Sequence, residues 1–199
     1  TGDLYIKQRA DDKDIIFQCD DGSGGVETYF FLDGNAGGAN PTTIFPDDSR
    51  LAIGSGQDLK LYHSSGISYI DVANGNLTFR QTTDDGDIIF QCDDGSGGLT
   101  EYFRLDGSVG GGSTVHTVFP DNSKAVFGTG LDLQIYHDAS NSYIKQQGGG
   151  HLYIQQTADD KDIVFQTDDG SGGVTAYITL DGSAETTIFS KQATFNNTV

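Results

Sequence analysis

Residues 14–25 read Asp-Ile-Ile-Phe-Gln-Cys-Asp-Asp-Gly-Ser-Gly-Gly, and the same twelve residues return at 87–98. A third copy, with two substitutions, occupies 162–173. A short apolar run that ends in an Asp-Gly cluster is typical of a β-strand that leads into a tight turn. Because the copies begin about 73 to 75 residues apart, the sequence predicts a repeat architecture.

The segments between these copies repeat as well, which distinguishes a repeat architecture from a shared short motif. The matching pairs lie at 59–63 and 133–137, at 68–70 and 142–144, and at 43–46 and 117–120, and 187–190 begins a third copy of the last. The sequence therefore predicts two full repeat units of about 74 residues, 1–75 and 76–150, and an incomplete third unit, 151–199.

The composition predicts an all-β fold. Glycine occurs 28 times, and methionine and tryptophan do not occur. Clusters of Asp and Gly, which form turns, separate short runs rich in Ile, Phe, Tyr, Thr and Val, which favour strands. Helical apolar spacing is absent, and Asp-Gly clusters come too often for a helix of three turns.

Strand candidates follow each other roughly every ten residues. In the second unit they lie at 76–80, 87–92, 99–105, 115–120, 124–128, 132–136 and 141–145. Each strand offers a narrow apolar stripe, such as Leu133 with Ile135, and the hydrophobic content of the chain is only 35%. One unit alone therefore buries too little surface to offset an ordering entropy of about 1 to 2 kcal/mol per residue.

A core shared between repeats and between chains solves this problem. We predict an elongated repeat fibre, an interwoven trimeric β-helix or β-prism, because closure of identical chains around each other also hides the sheet edges. The predicted inward-facing side chains recur at one place in each unit: Ile15, Phe17, Ile88, Phe90, Ile163 and Phe165. In a parallel homotrimer, equal residues of the three chains meet at one height.

The charge excludes several classes of partner. The formal net charge is −18 and only 11 basic residues are present, whereas nucleic acids and anionic membranes require clustered Lys and Arg. Apolar runs of membrane-spanning length and a signal peptide are also absent, so we expect no membrane insertion. The chain starts with Thr1 inside a repeat, and we expect it to be a piece of a longer protein.

Three longer strings carry a resemblance to a known family. Residues 131–144 read LDLQIYHDASNSYI, residues 151–163 read HLYIQQTADDKDI, and DDGSGGVT at 168–175 continues the pattern. This chain resembles the repeats of marine and cyanobacterial phage tail-fibre proteins over nearly its whole length. The resemblance implies a structural segment of a virion tail fibre, assembled in the host cytoplasm, that attaches to the bacterial surface.

The same resemblance implies the partners. They are two further copies in a homotrimer, other virion tail proteins, and a polysaccharide or protein receptor on the bacterial host. Insertions at 37–41 and 109–112 lengthen one loop in the first two units, and the third unit lacks such an insertion at 183–185. We expect those longer loops to be exposed on the side of the fibre.

Clustered carboxylates raise the question of a bound cation. Residues 11–14 and 20–21 contain five aspartates that bracket one strand, and carboxylates are ligands for Ca²⁺. Asp14 and Asp20 are six positions apart, which is roughly 20 Å in an extended chain and too far for one site. The sequence favours solvated turns, with a structural cation as the alternative.

His63 and His137 are the candidate ligands for a transition metal. Strand alternation places them on the face of Leu61 and Ile135, where three copies would converge if that face met a threefold axis. The favoured alternative is a His at a strand end that is hydrogen-bonded to the backbone or to Asp138. No cofactor-binding residues are predicted.

Cys19 and Cys92 occupy equivalent positions, where the third unit has Thr167. Equivalent positions in stacked repeats lie too far apart for a disulfide, which needs Cα atoms within about 7 Å. We therefore expect two free thiols that pack inward as small apolar side chains. Free thiols fit assembly in a reducing cytosol.

Catalytic motifs are missing from the sequence, and we predict that the chain is not an enzyme. A nucleophile elbow, a phosphate-binding loop and zinc-ligand spacing are all absent. Paired aspartates serve glycoside hydrolysis in some proteins, so a depolymerising tailspike is a third hypothesis. The second is a bacterial extracellular adhesin or matrix fibre, which shares the same repeat physics.

Overall fold

The computed structural model describes residues 2–35, 40–109 and 114–195, and it confirms the all-β fold class. The described residues contain strands, turns and extended segments, and none of them belongs to a helix that could span a membrane. The chain divides into two compact units, residues 1–80 and 81–199. Residues 36–39 and 110–113, which hold most of the two predicted loop insertions, lie outside the described residues.

The described part of the first compact unit contains six strands. They are β1 (Ile15–Asp20), β2 (Val26–Asp33), β3 (Thr42–Ile44), β4 (Leu51–Ile53), β5 (Leu59–Ser64) and β6 (Ile67–Val72). They form two antiparallel three-stranded sheets, in the orders β1-β2-β3 and β4-β5-β6. Because consecutive strands pair antiparallel, each sheet is a meander.

The described strands of the second compact unit follow the same order. They are β7 (Ile88–Asp93), β8 (Leu99–Asp106), β9 (His116–Val118), β10 (Lys124–Phe127), β11 (Leu133–His137), β12 (Ser142–Gln146), β13 (Ile163–Asp168), β14 (Val174–Asp181) and β15 (Thr186–Phe189). They form the three-stranded sheets β7-β8-β9, β10-β11-β12 and β13-β14-β15. We call β1–β3, β7–β9 and β13–β15 the bulged meanders, and β4–β6 and β10–β12 the regular meanders.

The bulged meanders share one irregularity at one place. In the first, Phe17 pairs with Phe30 and the next residue, Gln18, pairs with Thr28, so Tyr29 is an extra residue in β2. The same register shift recurs after Phe90 and after Phe165. A bulge bends its strand and increases the local twist. Its recurrence shows that the three copies of the repeated motif fold alike.

In each bulged meander, the backbone after the second strand closely approaches the backbone before the first strand. In the second, the Gly107 N–H donates a 2.9 Å hydrogen bond to the Asp87 carboxylate, and a Cβ on Gly107 would meet the Gly86 carbonyl oxygen. Gly34 and Gly182 make the same bond to Asp14 and Asp162. These aspartates therefore fasten the start of one strand to the end of the next.

The strand predictions for 76–150 are confirmed at six of seven places, with ends shifted by up to two residues. The prediction at 76–80 is not confirmed within one chain, because this segment pairs with no strand of the described residues. Its apolar alternation has the period of a strand. Pairing, however, depends on a neighbour that the sequence of one chain does not identify.

The described residues contain no buried hydrophobic side chain. The buried residues are Asp106 and Gln134, both polar. Every apolar stripe that the sequence analysis assigned to a core is therefore at least partly open to solvent within one chain. The predicted interwoven trimeric β-helix or β-prism is an arrangement of several chains, and it stays a prediction.

Candidate functional site

The largest recurring feature is an apolar face of the bulged meanders, which we call the ring face. In the first meander, Phe30 stacks on Phe17 with ring centroids 4.5 Å apart and on Phe45 with centroids 5.7 Å apart. In the second, Phe103 stacks on Phe90 at 4.5 Å and on Phe119 at 5.8 Å. The third meander has Phe165, Ile178 and Phe189 in the same cross-strand row.

A second apolar row completes the ring face. Ile15 pairs with Leu32, Ile88 with Leu105, and Ile163 with Leu180. The six predicted inward-facing residues therefore all lie on the ring face, two in each meander. Sequence analysis missed their cross-strand partners, which become evident only when the antiparallel register is known.

The opposite face of the bulged meanders is apolar at its outer positions and variable at its centre. Its central position is Phe31 in the first meander, Arg104 in the second and Thr179 in the third. A central position that tolerates an aromatic ring, a cation and a hydroxyl is typical of a solvated surface. The neighbours of that position across the sheet are apolar in every copy: Ile16 and Ile44, Ile89 and Val118, Val164 and Ile188.

The ring face is open to solvent within one chain. Phe17, Phe90 and Phe165 are 37%, 42% and 47% exposed. Contiguous exposed apolar surface of this kind marks a site of contact with another macromolecule. The ring face is therefore a candidate interaction surface whose chemistry is apolar packing.

The regular meanders carry a second apolar face. Leu51, Leu61 and Ile70 form one cross-strand row of β4–β6, and Ala125, Ile135 and Ile144 form the equivalent row of β10–β12. The other face of each holds a stacked tyrosine pair with a cation: Tyr62, Tyr69 and Arg50 in one, and Tyr136, Tyr143 and Lys124 in the other. The lysine ammonium lies 4.5 Å from the Tyr136 ring centroid.

His63 and His137 lie on the apolar face of the regular meanders, as predicted from alternation. The His63 Nδ1 atom lies 3.0 Å from the Ser68 hydroxyl, and the His137 Nδ1 atom lies 3.1 Å from the Ser142 hydroxyl. The hydrogen-bond partner is thus a cross-strand serine, neither Asp138 nor the backbone. Each serine lies opposite its histidine only because of the antiparallel register, which the sequence alone does not give.

The described residues hold no group of three or more His, Cys, Asp or Glu side chains placed to bind a metal ion. A histidine site would therefore need ligands from other chains, and the metal role of His63 and His137 stays a prediction. Cys19 and Cys92 are free, exposed thiols within the chain. Their inward packing likewise depends on other chains and stays a prediction.

The Asp-Gly turns use their carboxylates internally. Asp94 accepts hydrogen bonds from the Ser96 N–H at 2.8 Å, the Ser96 hydroxyl at 2.6 Å and the Gly98 N–H at 3.4 Å. The Ser96 hydroxyl, the largest contribution, and these amides lower the pKa of Asp94 below its usual range. Asp21 and Asp169 repeat these contacts. The turns are thus held by their own carboxylates.

One ion-pair cluster is confined to the second bulged meander. The Arg104 guanidinium contacts Glu101 and Asp106 at 2.9 Å each and Asp87 at 3.4 Å. Asp106 also accepts hydrogen bonds from the Ser108 hydroxyl at 2.7 Å and from the Ser108 and Val109 amides. Sequence analysis missed this cluster, because its members meet only through the sheet register.

An acid-dependent loss of stability follows from Asp106. Hydrogen bonds lower the pKa of Asp106 from 3.8 to about 2. The Ser108 hydroxyl makes the largest contribution, and Arg104 adds a smaller one. A carboxylate with a lowered pKa stabilises the fold above its unfolded-state value and loses that contribution as the pH falls to the folded-state value. We expect the melting temperatures of the parent and of Asp106→Asn to differ most near neutral pH and to converge between about pH 4 and pH 2.

Circular dichroism melts of both proteins across that pH range test this expectation. Comparing the two at each pH cancels the general relief of repulsion as the other carboxylates become protonated. A difference that stays constant down to pH 2 would contradict the role given to Asp106.

An open cleft occurs in each compact unit, beside a bulged and a regular meander. In the first unit it has a volume of about 650 Å³ and is lined by residues that include Asp21, Glu27, Tyr29 and Arg50. In the second unit Asp94, Glu101, Tyr102 and Lys124 take the equivalent places. These clefts are open and lined mostly by polar and charged residues, unlike the enclosed pockets that hold most small-molecule cofactors.

No known protein family, curated protein or solved structure matches the chain.

Proposed function

We propose that this chain is a structural segment of a homotrimeric virion tail fibre that reaches toward and attaches to a bacterial host. The observation that carries the proposal is the combination of three recurring apolar ring faces with the lack of any buried hydrophobic side chain in the described chain. Such a chain needs partners to bury its apolar surface.

The accessible surface supports association on a large scale. The chain exposes 16,024 Å². A compact monomer of 21.2 kDa exposes roughly 9,000 Å², and two separate compact units of half that mass expose roughly 11,000 Å² together. The excess, on the order of 5,000 Å², exceeds the roughly 800 Å² that each partner buries in a standard interface. Extensive contact between chains is the simplest way to bury this excess surface.

The repeat favours identical partners in parallel. Each ring face recurs about every 74 residues, so a covering surface must present apolar side chains with the same period. A second and third copy in register meet that condition, and equal residues then lie at one height. An interwoven trimeric β-helix or β-prism built from the repeat units is the architecture that we propose.

The acidic exterior and the resemblance to marine phage tail-fibre repeats support the proposed location on a virion tail. The net charge of −18 on each chain keeps a long assembly soluble and separates neighbouring fibres. Other virion tail proteins and a polysaccharide or protein on the bacterial surface are the proposed partners. The chain itself acts mechanically, by holding a binding region away from the particle, and the proposal includes no catalytic step.

Immunogold electron microscopy tests this function. Antibodies raised against the purified chain are applied to particles released from infected host cells and to intact uninfected cells. We expect gold label along the tail fibres of the particles. Label confined to the envelope of uninfected cells would contradict the proposal and support the bacterial adhesin or matrix fibre.

A further inference from the structure

Three segments of the described chain have neither helix nor turn structure and pair with no strand. They lie at 4–8, 77–81 and 152–156, immediately before the turn that leads into each bulged meander. Their backbone N–H and C=O groups make no hydrogen bond to another segment of the described chain. They also recur with the spacing of the repeat, which makes them part of the architecture rather than irregular connections.

The side chains of these segments follow one pattern. Each begins with Leu, has Ile or Phe two residues later and ends with Gln after four residues: Leu4, Ile6, Gln8; Leu77, Phe79, Gln81; Leu152, Ile154, Gln156. An apolar residue at every second place is the pattern of a strand with one covered face. These apolar side chains are exposed in the chain, with Leu4 at 88% and Phe79 at 60%.

The glutamine at the end of each segment marks the boundary between the segment and the turn that follows it. The Gln81 side-chain oxygen accepts a 2.9 Å hydrogen bond from the Thr83 N–H, and the Gln156 oxygen accepts one of the same length from Ala158. Gln8 accepts bonds from Arg9 and Ala10 in the same way. The turn therefore begins at one defined residue, and the five residues before it form a unit of strand length.

We propose that segments 4–8, 77–81 and 152–156 are β-strands that add to free sheet edges of a second copy of this chain. This inference rests on the proposed homotrimer and names the backbone contacts that would hold it together. Each three-stranded meander leaves two edge strands whose outer sides pair with no further strand of the described chain. Addition of an extended segment to such an edge supplies main-chain hydrogen bonds.

Three observations select a second copy as the occupant. A partner must recur with the spacing of the three segments, and the edges of this chain's own meanders do so. The excess exposed surface, on the order of 5,000 Å², is large enough for such an exchange along the whole chain. The charges also favour a second copy. Lys7 and Arg80 place a cation in two of the segments, and a second copy with a net charge of −18 attracts cations.

Hydrogen–deuterium exchange of the purified, assembled protein tests the inference, with native mass spectrometry of the same sample. We expect the amides of 78–81 to exchange at least about 100-fold more slowly than in the urea-unfolded chain, because sheet amides open only by local unfolding. A trimer in which these amides exchange at the unfolded rate would overturn the strand pairing and leave the trimer intact. A monomer would overturn both.

Proline variants give an independent readout. Proline is compatible with an extended backbone but removes the N–H, and one of two successive strand residues directs its N–H at the partner. We expect either Thr78→Pro or Phe79→Pro to abolish the protection of 78–81 and to lower the dissociation temperature. The matched variants Thr78→Ala and Phe79→Ala keep the N–H and should keep the protection. Protection that survives both prolines would contradict the pairing.

Discussion

Truncation of one ring in the ring face, Phe90→Ala, is expected to dissociate the assembled protein under conditions in which the parent stays intact. Within one chain Phe90 is 42% exposed and stacks on Phe103, so an isolated chain would lose little. If other chains bury the ring, the loss is about 3 to 5 kcal/mol per chain and on the order of 10 kcal/mol for a trimer. Resistance to heat and to sodium dodecyl sulfate on unboiled gels measures the difference.

Two matched variants make the result specific. Ile89→Ala changes the next residue, on the opposite face, and Ile89 is 50% exposed. Replacement of Asp93 and Asp94 by Asn keeps the acceptor oxygens of the turn and removes charges that lie in solvent. Both are expected to leave the assembly nearly as resistant as the parent. If Phe90→Ala has no effect while the Asp-to-Asn variant dissociates, the acidic turns would bind cations between chains.

The second large effect is expected from Gly107→Ala. The added Cβ would meet the Gly86 carbonyl oxygen, and the Gly107 N–H bond to Asp87 prevents the backbone from moving away freely. Insertion of a methyl group where space is lacking typically destabilises by about 1 to 3 kcal/mol. This change acts within one chain, so it should lower the stability of the second bulged meander whether or not the chains are assembled.

Gly149→Ala is the control for that substitution. A Cβ on Gly149 meets no atom within 4 Å, and its backbone is outside the left-handed region. We expect urea denaturation to show a lower midpoint for Gly107→Ala and an almost unchanged midpoint for Gly149→Ala. Equal midpoints for both variants would show that the close approach at Gly107 relaxes without loss.

The strands and turns could be predicted from sequence because their signals are local. The twelve residues from Asp14 onward contain an apolar run and the carboxylates that close the following turn, and both functions need only neighbouring residues. The same holds for the alternation that placed His63 and His137 on an apolar face. Local signals of this kind recur with the repeat, which made them easy to recognise.

Contacts that depend on register could not be predicted in this way. The three-ring stacks join Phe90, Phe103 and Phe119 across three strands, and the bulge decides which residues face each other. The Arg104 cluster arises in one repeat alone, so the periodicity gave no hint of it. The alternation at 76–80 predicts a strand, but pairing needs a second strand, and the described chain offers none to this segment.

The oligomeric mass in solution tests the shared core most directly. Native mass spectrometry or sedimentation equilibrium of the purified chain should give three times the monomer mass of 21.2 kDa, with β-rich circular dichroism and a cooperative melt. A folded species of 21.2 kDa with the same spectrum and a cooperative melt would contradict the homotrimer. It would show that one chain is stable with its ring faces open to water.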